Sequence, residues 1–331
     1  MQYTHLGKTG LKVSRLCLGT MNFGTATPEK EAFAIMDAAL DAGINFFDCA
    51  NMYGWSPFDG GVKGATEELL GRWFAQGGGR REKVVLTTKA SNDMDDPNDG
   101  PNGPAGLSAY KIRRHLEASL RRLGTDHVEL FFMHDYDPTS NWDELFGVFD
   151  NLTAAGKMYY AGASNFGARQ LCYAQAAAKS RHELGLVCAQ FKYNLVSRLP
   201  ELELIPAAGE LGMGEIVWSP LAGGLLSGSL KKKVAPGQRS MKYVGQLNET
   251  LDRQLQDYSG LCADLGMEES NTALAWLLTN PRITAPIIGP RTLRQFEDMV
   301  QVCETGLPED AVKRLDEIFP GYREAPKGYM M

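Results

Sequence analysis

The chain has 331 residues, 44% of them hydrophobic and 22% charged, with a net charge of −6. That is the composition of a globular protein with enough chain for one large barrel or two ordinary domains. The acidic balance lacks the basic face of a phosphate-backbone binder, so no nucleic-acid partner is expected. No apolar run approaches the ~18 residues needed to span a bilayer, so no membrane partner is expected either and the expected location is cytoplasmic.

Residues 2–15 read as a short hairpin, with Gly7 and Gly10 at the turn and residues 12–16 alternating with period two. From Leu16 onward short apolar runs alternate with helical stretches. The runs are Leu16–Leu18 before Gly19-Thr20-Met21, Ile44–Phe47 before Asp48, Val84–Thr88 before Lys89, and Val128–Met133 before His134. Met158–Ala161 leads to Ser164-Asn165, Leu186–Ala189 to Gln190, Gly214–Val217 to Trp218-Ser219, and Thr284–Ile288 to Gly289. Amphipathic periodicity predicts helices over 29–42, 108–123, 141–155, 167–178, 200–211 and 268–279, with Gly43, Gly124, Gly156, Gly212 and Gly266 where C-caps belong. Eight strands alternating with helices, without a linker, predict a single α/β domain over 1–331. The architecture expected is a (β/α)8 TIM barrel with an N-terminal hairpin cap and extra C-terminal helices. A doubly wound sheet is the alternative, disfavoured by the strand count and by the absence of a G-x-G-x-x-G string.

Five scattered histidines and no helical pair at ligand spacing give no metal site. Six separated cysteines read as reduced core residues. In a barrel the site lies at the C-terminal strand ends, and here those ends carry Asp48, Lys89, His134, Asn165, Gln190 and Trp218, with Tyr53 just past the second. Alone, Asp48 could open a turn and Tyr53 be an ordinary half-buried aromatic. At successive strand ends they converge on one mouth. A carboxylate buried there needs a cation, which Lys89 on the adjacent strand can supply. The same ammonium is expected to lower the Tyr53 pKa and make a general acid, while His134 could orient a carbonyl oxygen. An acid without a nucleophile suits a reaction whose hydride arrives from a nicotinamide.

These residues resemble the aldo-keto reductase superfamily from Leu6 to about Val302. The resemblance is carried by Leu6–Ser14, Phe47–Gly54, Gly162–Phe166, Gln190–Asn194, Trp218–Gly228 and Ile287–Arg291. It implies a tetrad of Asp48, Tyr53, Lys89 and His134, with Tyr53 as proton donor. It also implies an NADP(H) cofactor and a small-molecule carbonyl substrate. Ser164, Asn165 and Gln190 would bond the nicotinamide carboxamide, Trp218 would stack on its ring, and Thr20 and Met21 would line its pocket. Ser219, Pro220, Leu221 and Gly223 would pass under the pyrophosphate, with Arg239 as a clamp. Gly289, Arg291, Gln295 and Asp298 would hold the adenosine end, where Arg291 suits a 2′-phosphate.

The chain departs from the family pattern at Ser229, where a lysine is common, at Met299, where an asparagine often meets adenine, and in a lengthened 55–65 stretch. The long polar 90–107 loop suits a substrate lid or a solvated loop equally. Residues 54–55 and 71–81 resemble bacterial reductases of keto-deoxysugar nucleotides, although the loop's aspartates disfavour a diphosphate. The fold is also shared by potassium-channel β subunits, which implies a cofactor-holding sensor as an alternative. Those subunits carry an asparagine where His134 stands here, and a complete tetrad favours turnover. A barrel lyase or isomerase without nicotinamide would leave residues 218–221 and Gly289-x-Arg291 without a purpose.

Overall fold

The computed structural model describes residues 1–56, 60–228, 248–303 and 305–322. Eight parallel strands close into a barrel: β3 (Cys17–Gly19), β4 (Phe46–Asp48), β7 (Val85–Ala90), β8 (Val128–Met133), β9 (Met158–Ser164), β10 (Leu186–Lys192), β11 (Gly214–Trp218) and β12 (Ile283–Ile288). Closure is made by β12 on β3, with Ile287 opposite Cys17 and Ile288 opposite Leu18. Both the (β/α)8 architecture and its eight strands follow the expectation from sequence.

The expected hairpin forms from β1 (Tyr3–His5) and β2 (Lys12–Ser14), paired antiparallel. It plugs the N-terminal end of the barrel. Leu6 and Val13 join the interior cluster with Cys17, Phe46 and Leu130, and the Lys8 amide donates to the Gly212 carbonyl at 2.9 Å. Gly7, at φ +56°, lies so close that a Cβ there would sit 2.4 Å from the Gly212 oxygen, so backbone packs directly on backbone.

Around the barrel run α1 (Glu29–Asp41), α2 (Ala65–Phe74), α3 (Ala109–Leu123), α4 (Trp142–Ala154), α5 (Ala168–Ser180) and α6 (Leu204–Glu210). They are followed by α7 (Glu249–Leu265), α8 (Glu269–Thr279), α9 (Leu293–Val300) and α10 (Glu309–Ile318). Gly43, Gly124, Gly156, Gly212 and Gly266 all hold positive φ just past helices, as C-caps do. The periodicity reading missed α2, which starts at left-handed Gly64 with no side-chain cap to announce it. It also missed α7 and placed no boundaries on α9 and α10. The predicted 200–211 helix is a 3-10 turn at Leu199–Glu201 followed by α6.

None of the six cysteines forms a disulfide, but only Cys17, Cys49, Cys188 and Cys262 are buried; Cys172 is exposed and Cys303 half-buried, which corrects the reading of all six as core. Among the described residues no helix is long and apolar enough to cross a membrane, and no group of three or more His, Cys, Asp or Glu could hold a metal ion.

Strand alternation sorts side chains between two cores. On β4, Phe46 faces the barrel interior while Phe47 packs outward, stacked on Trp73 at 5.7 Å. Every second residue points inward, so Phe46 leads to Asp48, Val85 to Thr87 and Lys89, and Leu130 to Phe132 and His134. The polar residues of the mouth are thus the top layer of the same stacks whose lower layers are apolar. Room for that stacking comes from Gly162, where a Cβ would meet the Phe132 ring at 2.4 Å.

One outward-facing carboxyl breaks the sorting. Glu215 on β11 is fully buried and neither side-chain oxygen has a hydrogen-bond partner. Burial pushes its pKa up to about 9, against a lowering pull from Arg282. The folded protein therefore holds Glu215 protonated where the unfolded chain ionises, and stability falls as pH rises from ordinary carboxylate values towards 9, by up to ~1.4 kcal/mol per pH unit. Glu215→Gln should abolish that slope, so urea unfolding across pH 5–9 should show the variant gaining on the parent as pH rises. Parallel curves would show that Glu215 is not buried as the neutral acid.

Candidate active site

Asp48, at the C-terminal end of β4, is the hub. Lys89 Nζ, from the top of β7's inward stack, lies 2.7 Å from each Asp48 oxygen, and both side chains are almost wholly buried. Thr87 Oγ1 donates to Asp48 Oδ1 at 3.0 Å and Gln190 Nε2 donates to the same oxygen at 2.8 Å. The Asp48 carbonyl accepts from Thr20 twice, from its amide at 3.0 Å and its hydroxyl at 2.9 Å. Lys89 spends its remaining hydrogens on the Cys49 carbonyl at 2.8 Å and on the Tyr53 hydroxyl at 3.3 Å. Burial favours the neutral amine, but the charge of Asp48, Tyr53 and the hydrogen bond to Asp48 outweigh it, so Lys89 is held above its ordinary pKa. It stays an ammonium.

Tyr53 corrects the electrostatic expectation. Burial pushes its phenol up to about 12, and the lowering from Lys89 does not overcome it. Its ring meets His134 edge-on at 6.0 Å between centroids. His134, at the end of β8, has a pKa lowered to about 3, by burial first and by Lys89 second. It is a neutral imidazole throughout the physiological range. The arrangement offers a protonated phenol against a fixed cation and an uncharged imidazole beside it.

Some of the remaining residues singled out from sequence are tied to this hub by hydrogen bonds. Ser164 donates to Gln190 Oε1 at 3.3 Å. Asn165, at φ +62°, donates its amide hydrogens to the His134 carbonyl at 3.0 Å and to Asp135 at 3.1 Å, and accepts from the Trp218 indole at 3.0 Å. Past β11 the chain turns tightly through positive φ at Ser219, Ala222, Gly223 and Gly224, with Ser219 tied by its carbonyl to Asn194, and Pro220 and Leu221 lie in this turn. Asn22 donates to the Gly289 carbonyl at 3.0 Å, and the Gln295 side chain accepts from the Arg291 amide at 2.9 Å. No carboxylate pairs with the Arg291 guanidinium among the described residues, and Asp298 is exposed. Met21 is exposed and Thr20 buried. Arg239 lies outside the described residues.

Three groups were missed: Thr87, Asn92 and Asp135. Thr87 was findable, because period two puts it inward, one step below Lys89. The loop aspartates serve the loop itself. Asp93 caps the Asp95 amide, Asp96 caps the Asn98 amide, and Asp95 pairs with Lys63 at 2.9 Å. Buried Asp99 accepts from His115 at 2.8 Å and pairs with Arg114 at 2.9 Å. His115 in turn accepts from Asn51 at 3.1 Å, which fastens this loop beneath the turn carrying Tyr53. The lengthened 55–65 stretch contains a two-residue ladder of β5 (Trp55–Ser56) and β6 (Gly60–Gly61).

The C-terminal mouth of this closed parallel barrel holds a buried Asp–Lys pair against a tyrosine and a neutral histidine. A profile of the Aldo/keto reductase family matches residues 15–319, and the chain belongs to that family. An uncharacterized oxidoreductase, YrpG, of Bacillus subtilis strain 168 is 54% identical over 330 residues, covering 99% of each chain. A probable voltage-gated potassium channel subunit beta of rice is 32% identical, over 99% of this chain and 98% of its own. An aldo-keto reductase of Fusarium vanettenii is 30% identical over 96% and 91%. Family and relatives together support an oxidoreductase acting on carbonyl groups.

The pair at the centre has a measurable signature. Lys89→Met leaves Asp48 buried without its cation and should cost about 3–5 kcal/mol of stability. Adding Asp48→Asn should recover a large part of that loss, read by urea unfolding of single and double variants. Additive losses would show that the two groups are not energetically coupled.

Proposed function

We propose that the protein reduces an aldehyde or ketone to an alcohol, with NADPH as reductant and Tyr53 as proton donor. The observation that carries this reading is the saturated Lys89: bound to Asp48, the Cys49 carbonyl and the Tyr53 hydroxyl, it is fixed where a phenolate would form. A phenol with a pKa near 12 remains protonated at neutral pH. It can yield its proton to an alkoxide, the stronger base, while Lys89 stabilises the phenolate left behind. Neutral His134 can hold the carbonyl oxygen without competing as an acid, the use of imidazole over imidazolium known in other barrels.

The donor set at the rim fits a nicotinamide dinucleotide. Ser164, Asn165 and Gln190 present hydroxyl and amide groups at adjoining strand ends, with the Asn165 amide bonded to the Gln190 carbonyl at 2.9 Å. Trp218 offers an indole face beside them, and the positive-φ turn at 219–224 is of the kind that forms anion concavities. Arg291, with no acidic partner among the described residues, suits a 2′-phosphate and supports NADPH over NADH. When bound, the reduced nicotinamide supplies the hydride. Gln190 already bonds Asp48, so it links the cofactor rim to the tetrad through one amide. The resemblance to keto-deoxysugar reductases extends the reading to sugar-type carbonyls as one substrate class.

The relation to potassium-channel subunits supports a second reading, a cofactor-holding sensor with little turnover. Titration with NADPH followed by tryptophan fluorescence, then addition of a carbonyl panel with absorbance of the reduced cofactor, separates the two. Oxidation of NADPH by a carbonyl is expected; binding without oxidation favours the sensor, and no binding ends both. Tyr53→Phe should keep cofactor affinity and lose at least about a hundredfold in kcat. Retained activity would remove Tyr53 as the proton donor.

A further inference from the structure

A neutral imidazole has one donor and one acceptor nitrogen, so His134 can polarise a carbonyl only in the tautomer whose hydrogen faces the mouth. Its Nδ1 lies 3.3 Å from Asn92 Nδ2, contributed by the loop three residues past Lys89. An amide NH2 only donates, so at this contact the Asn92 hydrogen meets a lone pair on His134 Nδ1. The ring hydrogen is left on Nε2.

Donor and acceptor identity also fixes Asn165, which bonds the His134 carbonyl at 3.0 Å. Asn165 Nδ2 donates to Asp135 Oδ1 at 3.1 Å, and Asn165 Oδ1 accepts from the Trp218 indole at 3.0 Å. Indole N–H can only donate, so the orientation of Asn165 is fixed as well. From Trp218 through Asn165 to Asp135 and the His134 carbonyl, the hydrogens have one consistent arrangement.

We propose that Asn92 is a positioning residue that locks His134 as the Nε2–H tautomer, while Asn165 ties the His134 carbonyl to the Trp218 indole at the cofactor rim. The consequence for catalysis rests on the reading of His134 as the carbonyl-orienting group. The charged and titratable groups around the ring are Lys89 on β7, Tyr53 past β4 and Asp135 beside it in the chain. Lys89 opposes a second ring proton, and Asn92, being neutral, adds no pull towards one.

Asn92→Asp reverses the demand on Nδ1 with little change of shape. The new carboxylate accepts a hydrogen from Nδ1, so the neutral ring turns its Nε2 lone pair to the mouth. With carbonyl reduction as the assay, kcat should fall about a hundredfold, the size of losing one oxyanion donor, with NADPH affinity unchanged. Activity should recover as pH falls, because the added carboxylate favours the imidazolium, which has hydrogens on both nitrogens. Nitrogen-15 NMR of histidine-labelled full-length protein reads the tautomer without turnover, His134 being assigned by subtraction of His134→Gln. The parent should carry its hydrogen on Nε2 and Asn92→Asp on Nδ1; Asn92→Leu, with no polar end, should populate both forms. An Nδ1–H ring in the parent, or an unchanged tautomer in both variants, would overturn the lock. Absence of any carbonyl reduction by the parent would instead remove the functional reading, while the tautomer measurement would still decide for or against the lock.

Discussion

The structure depends on one buried ion pair. Asp48 and Lys89 sit at the top of the barrel interior with essentially no solvent exposure, a situation that costs several kcal/mol per ion unless every lone pair and hydrogen finds a partner. Here both carboxylate oxygens and the ammonium are hydrogen-bonded: Asp48 takes Lys89, Thr87 and Gln190, and Lys89 adds Cys49 and Tyr53. Breaking any one contact leaves a charged group short of a partner in a dry place. The pair therefore fixes three strands and the turn past β4 to one another, and the phenol of Tyr53 is positioned as a by-product of satisfying Lys89.

The barrel makes that pair possible by geometry alone. Alternation raises Asp48, Lys89 and His134 above apolar residues on the same strands, so each polar side chain is held on a rigid stem. The polar network then extends outward by single hydrogen bonds to Gln190, Ser164, Asn165 and Trp218. Burial within it sets the pKa values against simple intuition. The ammonium near Tyr53 does not bring the phenol down, because removal from water weighs more than one neighbouring charge.

Much of this was legible in the sequence because period and punctuation are local. Eight apolar runs, glycine caps and a polar or aromatic residue at six of the strand ends are enough to infer the barrel and its mouth. What was not legible is set by contacts distant in sequence or lacking a local signal. Helix α2 starts without a capping side chain. Asn92 and Asp135 matter only through the atoms they meet, and neither residue type announces a role. Asp99 looked like one more loop aspartate, yet it is buried against His115 and Arg114. The sign of the Tyr53 shift turned on depth of burial, which no spacing reports.

The seam of the barrel joins β3 to β12, near the two ends of the chain. A polypeptide made from its N-terminus therefore carries β3 with one unpaired edge until β12, more than 260 residues later, has been synthesised. The hairpin waits almost as long for Gly212, on which its tip rests. Long-range closure of this kind is slow, and open strand edges invite association with other chains. The short three-residue length of β3 and of β4 limits how much edge is exposed in the interval, so the geometry that seals the finished barrel also restrains mispairing during its assembly.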